Sequence, residues 1–551
     1  MPAEHRKLIF ASSLAALFAW YDFYLYGVLA PVFALHFFAG AGTGAGERSA
    51  LVATLLAFAA GFVVRPVGAL VFGRLGDVIG RKYTFLVTLL LMGAATFAIG
   101  VLPGYASIGI AAPIALVLLR LLQGLAIGGE YGGVATYVAE HAPQGRRGFY
   151  TGWIQSTASL GLLLALVVIA ALRSLLGEAA FADWGWRVPF LLSAVLLAIG
   201  VWVRLSLQES PLFRQLKSAG GASRAPLAEA FGRWRNLRLV LIALFGLVAG
   251  QAVVWYTGQF QALFFMTLQL KVDATHASLM LCAALALAAP LFVGFGALSD
   301  RIGRKPIILT GCLLAALSYM PLFHALTAAA NPALADAQQR VQTTLTADPA
   351  ACAWQWGLTA AGASGSGAAG AGEAEGAGGG GSTCDAAKRW LSDRSVRFSL
   401  LDGSGPAVIS IGAERLVFAA ADAPTRQRLD AALDAAGYPR HADPARIDSL
   451  RVVGILFILV VFVTMVYGPM AALLVEMFPT RVRCTSVSLP YHIGNGWFGG
   501  LLPSAAFAIV ASTGNIYSGL WFPIGIALAC CVVGIVFVRE ARQVDLAAVG
   551  R

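Results

Sequence analysis

Charged side chains are scarce in this sequence: 39 Lys and Arg with 28 Asp and Glu make up 12% of 551 residues. A soluble domain carries about a quarter, so an ordinary soluble enzyme fold is excluded. Histidine and cysteine are sparse too, at seven each. No His-Glu-x-x-His, no paired Cys-x-x-Cys and no nucleophile elbow at a strand-to-helix turn occurs, which removes the signatures of metal and nucleophile catalysis. An enzyme is not expected, and neither is a metal or a cofactor other than a proton as coupling ion. What is abundant is apolar surface: 58% of the residues are hydrophobic and the mean hydropathy is +0.75. The net charge of +11 does not imply a nucleic-acid partner. Such a partner needs basic residues gathered on one accessible face, and here they form short clusters between long uncharged stretches. The bilayer is the natural solvent for those stretches.

A spanning helix needs roughly 17–25 mostly apolar residues, and backbone groups in lipid must be paired within the segment. On that basis twelve spans are expected at about 8–38, 50–72, 83–102, 107–140, 149–176, 184–206, 236–268, 276–298, 306–329, 450–478, 486–511 and 515–538. The first is too long for a secretory signal. The expected fold is an all-α membrane protein of two six-helix bundles. An N-terminal bundle (1–206) and a cytoplasmic linker (207–235) precede a C-terminal bundle divided into 236–330 and 450–551. Lys and Arg in the short loops divide twenty-two to four, the four being Arg48, Arg173, Arg187 and Lys271. The positive-inside bias therefore places both termini in the cytoplasm.

The segment 331–449 interrupts this pattern and is expected outside the cytoplasm. It carries 13 acidic and 10 basic residues, so the positive excess belongs to the membrane body. Its Gly/Ala tract, 359–383, cannot bury enough apolar surface to fold, and the dinucleotide-type spacing of Gly365, Gly367 and Gly370 is compositional because no strand precedes it. Cys352 and Cys384 flank the tract. In an oxidising compartment the pair can close a disulfide; two free thiols are the alternative. Runs at 395–400 and 407–411 predict short strands and 422–436 a helix, giving a small α+β cap.

The chain repeats itself. Gly73-Arg-Leu-Gly-Asp77-Val-Ile-Gly-Arg81-Lys82 and Gly296-Ala-Leu-Ser-Asp300-Arg-Ile-Gly-Arg304-Lys305 agree at seven of ten positions, 223 apart. Tyr131, Gly132, Ala135, Glu140, Pro143 and Arg147 match Tyr467, Gly468, Ala471, Glu476, Pro479 and Arg483 at an offset of 336. The increase in offset, 113 residues, agrees with one late insertion of about the length of 331–449. Two homologous halves with an axis along the membrane normal are a transporter architecture. In each ten-residue motif the glycines permit a tight turn, the aspartate suits a helix N-terminus or an arginine, and the Arg-Lys pair is expected to anchor the next helix at the headgroups.

Four ionisable residues fall inside spans, where each costs at least about 2.5–3.5 kcal/mol and is a functional candidate. They are Asp22, Arg65, Arg120 and Glu130. Asp22, in Trp20-Tyr21-Asp22-Phe23-Tyr24-Leu25-Tyr26, can take up and release a proton as its surroundings alternate between dry and wet. Glu130 sits among Gly128, Gly129, Gly132 and Gly133 near mid-membrane, with Gln123 on nearly the same face and Arg120 a turn further out. Both acids are proton-coupling candidates, with a structural ion pair as the alternative. Arg65, followed by Pro66, lies nearer the cytoplasmic end, where a long side chain can snorkel, so a structural charge is expected there, as for Glu140 and Glu476. Substrate-lining candidates are Arg120, Gln123, Tyr21, Tyr26 and Gln155 in the first half. In the second, Gln251, Trp255 and Gln259 recur along one stripe beside Tyr256, and Asn495 lies near His492 and Trp497.

The duplicated Gly-x-Leu-x-Asp-x-x-Gly-Arg-Lys loops and Arg120-Leu-Leu-Gln123-Gly124 resemble the major facilitator superfamily. Trp20-Tyr21-Asp22-Phe23, Arg65-Pro66-Val-Gly68, Gly128-Gly129-Glu130-Tyr131, Trp186-Arg187-Val-Pro189-Phe190 and Glu209-Ser210-Pro211 resemble its metabolite:proton symporter branch. The likeness spans both halves and leaves 331–449 outside. It implies a bacterial inner-membrane carrier, a monomer that moves a small polar metabolite inward with protons by rocking its halves about a central site. By the same resemblance Asp22 and Glu130 would couple protons, and Arg120 would meet a substrate carboxylate or one of those acids. Gly73, Asp77, Arg81, Asp300 and Arg304 would form a cytoplasmic latch. An organic anion is the leading substrate class and a betaine- or proline-like zwitterion the alternative. A sensor built on the 331–449 segment is the reading outside transport.

Overall fold

A computed structural model describes residues 3–38, 54, 57, 60–205, 214–215, 218, 223, 225–348, 352, 382–418, 423–540 and 546. Its first half comprises α1 (Ala3–Val28), α2 (Arg65–Val78), α3 (Arg81–Val101), α4 (Ala111–His141), α5 (Arg147–Leu176) and α6 (Val188–Leu205). After α7 (Trp234–Gln269), α8 (Ala274–Ile302) and α9 (Arg304–Ala330) comes an extramembrane unit. Then follow α13 (Ser449–Met477), α14 (Thr480–Thr513) and α15 (Ser518–Phe537). Among the described residues eleven helices are long and apolar enough to cross a membrane. Part of the expected span 50–72, most of the tract 359–383 and about half of the linker 207–235 lie outside the described residues. Large side chains such as Trp202 (75% exposed), Leu317 (66%) and Val536 (65%) point outward. An apolar exterior of that extent is a lipid-facing surface.

The helices approach closely because small residues lie where they cross. A side chain at Gly128 of α4 would overlap the Arg65 carbonyl of α2, and one at Gly132 would overlap the Ser488 hydroxyl of α14. Without a hydrophobic driving force between helices in lipid, such van der Waals contact is the main source of association. Two of the helix pairs that join the halves correspond under the internal repeat. α5 packs on α8 at Gly148, Gly152 and Gly296, and α14 packs on α2, where Gly73 leaves room for the Thr485 backbone.

Helix α7 is not a plain α-helix. It widens into π turns at Leu244–Val248, Thr257–Gln261 and Phe265–Gln269. A further π turn in α14, Gly494–Gly499, contains Asn495. Such turns are rare and concentrate at functional sites. Here they bracket the polar stripe of α7.

The extramembrane unit has the expected α+β character. It contains α10 (Pro332–Arg340), α11 (Thr383–Asp393) and α12 (Ala423–Ala435) with strands β1 (Thr343–Ala347), β2 (Phe398–Asp402), β3 (Val408–Ile411) and β4 (Glu414–Val417). The sheet order is β2-β1-β3-β4, with β1 parallel to β2 and the other pairs antiparallel. Strands β1 and β4 were not anticipated: Thr343-Thr-Leu-Thr-Ala347 is too polar to stand out in a hydropathy reading. Cys352 and Cys384 are joined in a disulfide, with Cα atoms 5.3 Å apart. Closing a loop of that length stabilises by about 3–4 kcal/mol in the chain-entropy picture.

Candidate functional site

At the end of the bundle carrying the repeated motif, each aspartate caps a helix of the other half. Asp77 accepts from the Cys484 and Thr485 amides (3.2 and 2.9 Å) and from the Thr485 hydroxyl (2.7 Å) at the start of the α-helical part of α14. Asp300 accepts from the Gly148 and Phe149 amides, both 2.9 Å, at the start of α5. Residues 148–149 and 484–485 correspond under the 336 offset, so the same contact is made twice with the halves exchanged. The carboxylates meet the unsatisfied amides and positive end of a helix. Around them buried ion pairs cross between halves: Arg483–Glu140 at 2.9 Å and Arg147–Glu476 at 3.3 Å. Arg304 bonds Asp300 (2.9 Å) and Glu476 (3.1 Å).

These contacts refine the sequence reading in two respects. Arg147, Arg304 and Arg483 count as loop cations by position, yet all three are buried in this network. The lysines of the motif, expected to face the headgroups, also have partners within the protein. Lys82 donates to the Leu205 carbonyl at the end of α6, and Lys305 to those of Ile535 and Val538 at the end of α15. Each lysine thus caps the last helix of its own half, where cations offset the helix dipole. The side chain of Arg81 lies outside the described residues.

Midway through the bundle the charges sort differently from the expectation. Glu130 is bound by Arg204 of α6 at 2.8 Å, and the guanidinium lies 4.6 Å from the centre of the Phe85 ring. Arg204, assigned to a loop by sequence, is 4% exposed. Glu130 is therefore compensated within its own half. Asp22 is buried with Oδ1 lacking a hydrogen-bond partner, and Thr96 lies beside it. Thr96 accepts from Gln123 at 2.7 Å, and Gln123 accepts from Arg120 at 2.6 Å. Arg120, Gln123 and Thr96 thus form one hydrogen-bonded chain that ends beside Asp22, with the Thr96 hydroxyl donating to the Met92 carbonyl at 2.9 Å. Arg120 also lies over Phe23 and Tyr26, 4.7 and 4.4 Å from the ring centres.

Arg65 does not snorkel. It is fully buried and packed over Phe23 and Phe62 at 4.2 and 4.3 Å. None of its three side-chain nitrogens has a hydrogen-bond partner of normal geometry. The phenols of Tyr24, Tyr256 and Tyr467 and the imidazole of His492 are near enough to interact with its charge. Cation–π contacts contribute up to about 2 kcal/mol each when desolvated, less than full hydration of a guanidinium. The Tyr24 hydroxyl, the Trp255 indole nitrogen and both ring nitrogens of His492 likewise lack partners. Buried polar groups are normally satisfied, and this constellation, drawn from both halves, is the candidate site.

The hydroxyls of Tyr21 and Tyr26 donate to the carbonyls of Pro189 (2.9 Å) and Thr54 (3.2 Å), within the first half. Tyr24, three residues past Tyr21, is the one that reaches across. It stacks between Trp20 and Trp255 with ring centres 5.4 and 5.8 Å away. Gln259 also crosses, donating to Ser159 at 3.0 Å, whereas Gln251 and Asn495 bond each other within the second half. Towards the motif end, Gln155 donates to Tyr131 and to the Tyr467 carbonyl. Tyr131 lies flat on Tyr491 there.

The Major Facilitator Superfamily profile matches residues 12–369, well over half of the chain. The chain belongs to the Major Facilitator Superfamily. This facilitator is a multi-pass membrane transporter and not an enzyme. It is 38% identical over 335 residues to the alpha-ketoglutarate permease of Escherichia coli K12, covering 60% of this chain and 74% of that protein. It is 35% identical over 332 residues to the E. coli K12 proline/betaine transporter, covering 58% of this chain and 64% of the relative, somewhat under two thirds. Among solved structures it resembles the proton:xylose symporter XylE bound to 6-bromo-6-deoxy-D-glucose, with a TM-score of 0.62 at 14% identity and 98% of each chain covered. At that identity the likeness shows the fold alone.

Proposed function

We propose that this facilitator is a proton-coupled symporter of a small organic anion, working by alternating access as a monomer in the bacterial inner membrane. Both termini face the cytoplasm and 331–449 the periplasm. The observation that carries the reading is the charge balance at the centre: with Glu130 held by Arg204, the described residues there include two further buried guanidiniums, Arg65 and Arg120, and one further buried carboxylate, Asp22. A carboxylate solute makes up that deficit, and one with two carboxylates, as in α-ketoglutarate, engages both cations. Arg65 supplies a planar donor fork suited to a carboxylate. Proton transfer at Asp22 alters its pull on Arg120 through Thr96 and Gln123, which links the proton to the anion.

The Trp20–Tyr24–Trp255 stack supports a second reading, a quaternary-amine zwitterion held by cation–π contact, the solute class named for the proline/betaine transporter. Uptake of labelled α-ketoglutarate into proteoliposomes separates the two. Excess dicarboxylates are expected to suppress it and excess glycine betaine to leave it intact; the reverse pattern sinks the anion reading.

On this reading the Asp77, Asp300, Glu140 and Glu476 contacts are a lock that holds the cytoplasmic end shut. Replacing Asp300 by Asn turns a charge-assisted acceptor into a neutral one and weakens the lock by about 2 kcal/mol, roughly thirtyfold in the open-to-closed ratio. Thr151→Cys on α5 is buried below the lock and reports opening. Its labelling by an impermeant maleimide in inside-out vesicles should accelerate in the Asp300→Asn background, and an unchanged rate removes the lock assignment.

A further inference from the structure

The last carbonyls of a helix have no partner within it. At the outer end of α7 three in succession are taken by the extramembrane unit, each by a different segment of it. The Ser395 hydroxyl donates to the Gln269 carbonyl at 2.6 Å, the Asn331 amide to that of Leu270 at 2.9 Å, and the Ala442 backbone amide to that of Lys271 at 3.0 Å. In return Lys271 donates through Nζ to the Asp393 carbonyl at 2.6 Å, at the end of α11. Gln269, Leu270, Ser395 and Asn331 are all buried.

Backbone strain collects at the same place. Among the described residues only two non-glycine residues have positive φ, Lys271 at 56° and Ser395 at 57°. Both belong to this clasp. Each is the left-handed residue that closes a helix: the Val272 amide bonds the Met266 carbonyl behind Lys271, and the Val396 amide bonds the Leu391 carbonyl behind Ser395, both at 3.0 Å. The clasp thus joins the C-terminal turns of α7 and α11 to each other.

The clasped helix is the one whose polar stripe faces the first half. Between the clasp and Trp255 lie two of its three π turns, so the axial position of Trp255, Tyr256 and Gln259 follows how the outer end is held. The other attachments of the unit run to the second half as well: the Phe398 amide donates to the Gly514 carbonyl after α14, and the Asp448 amide to that of Ala329 in α9. We infer that the unit is a clamp that fixes the outer end of α7 and thereby positions the solute-facing residues of α7, with Ser395 and Asn331 as positioning residues. This rests on the assignment of α7 to the solute site.

The test uses the full chain in proteoliposomes and as purified protein. Ser395→Gly removes the hydroxyl yet relaxes the left-handed strain, so a merely structural role predicts no loss of function. A positioning role predicts a KM for α-ketoglutarate uptake raised roughly tenfold with little change in kcat, the effect of one lost buried hydrogen bond. It also predicts faster amide hydrogen exchange reaching from 262–272 into 251–259. Asn331→Ala should do the same, while Glu414→Gln on the exposed strand β4 should leave KM and exchange unaltered. Faster exchange confined to 383–442, or an unchanged KM in both clasp variants, overturns the inference. If the unaltered chain does not take up α-ketoglutarate, the reading of the substrate fails, and exchange in 251–259 then decides the clamp alone.

Discussion

Asp22→Asn should abolish accumulation driven by a pH gradient and leave exchange of solute across the membrane intact. A proton gradient of one pH unit is worth about 1.4 kcal/mol per proton, roughly tenfold in concentration. Wild-type proteoliposomes with an inside-alkaline step of one unit therefore concentrate the solute about tenfold per coupled proton, and the variant should equilibrate near a ratio of one. The amide fills the same volume but has no titratable proton. Exchange persists because Arg65 and Arg120 are untouched. Glu130→Gln has a different expected outcome: it strands Arg204 without its partner, so its first effect is on folding. A thermal melt lowered for Glu130→Gln and unchanged for Asp22→Asn separates the structural acid from the coupling one. Full accumulation by Asp22→Asn removes the coupling role.

The second large effect is at Arg65. A bidentate carboxylate contact consists of charge-assisted hydrogen bonds worth about 1.5–3 kcal/mol each, so Arg65→Ala should weaken α-ketoglutarate binding by roughly a hundredfold or more. Arg65→Lys keeps the charge and loses the planar fork, and should fall between. Arg65→Ala also empties a packed volume and removes the contacts with Phe23 and Phe62, so its melting temperature should fall as well, and Arg65→Lys, which keeps the charge and most of the volume, is the variant whose affinity reports the fork itself. Binding measured by calorimetry on purified protein decides. Unchanged affinity returns Arg65 to the structural role that its position near a helix start suggests, and makes Arg120 the main carboxylate ligand.

Much of this architecture is legible in the sequence, because bilayer thickness imposes long apolar runs and duplication leaves matching motifs. The motif aspartates were visible for that reason: a residue kept twice at one place in each half has a contact to make twice. Side-chain direction was not visible. Tyr21, Tyr24 and Tyr26 are adjacent on one helix, and only the rotation of α1 against α6 and α7 decides that Tyr24 faces the other half. Arg204 was hidden by its place at the end of a span, where composition cannot distinguish a loop cation from the buried partner of Glu130. Position along a helix suggests snorkelling for Arg65, whereas Phe23 and Phe62 hold it inward. The strands of the extramembrane unit were half legible, since alternation shows in β3 and not in the threonine-rich β1.

The central claim is that proton and anion move together, and the pH of a weakly buffered suspension tests it without assuming which residues are responsible. Adding α-ketoglutarate to proteoliposomes of the wild-type chain, with no gradient imposed, should make the outside medium more alkaline in step with solute entry, and a protonophore should dissipate the change. Solute entry with no change in external pH contradicts the account.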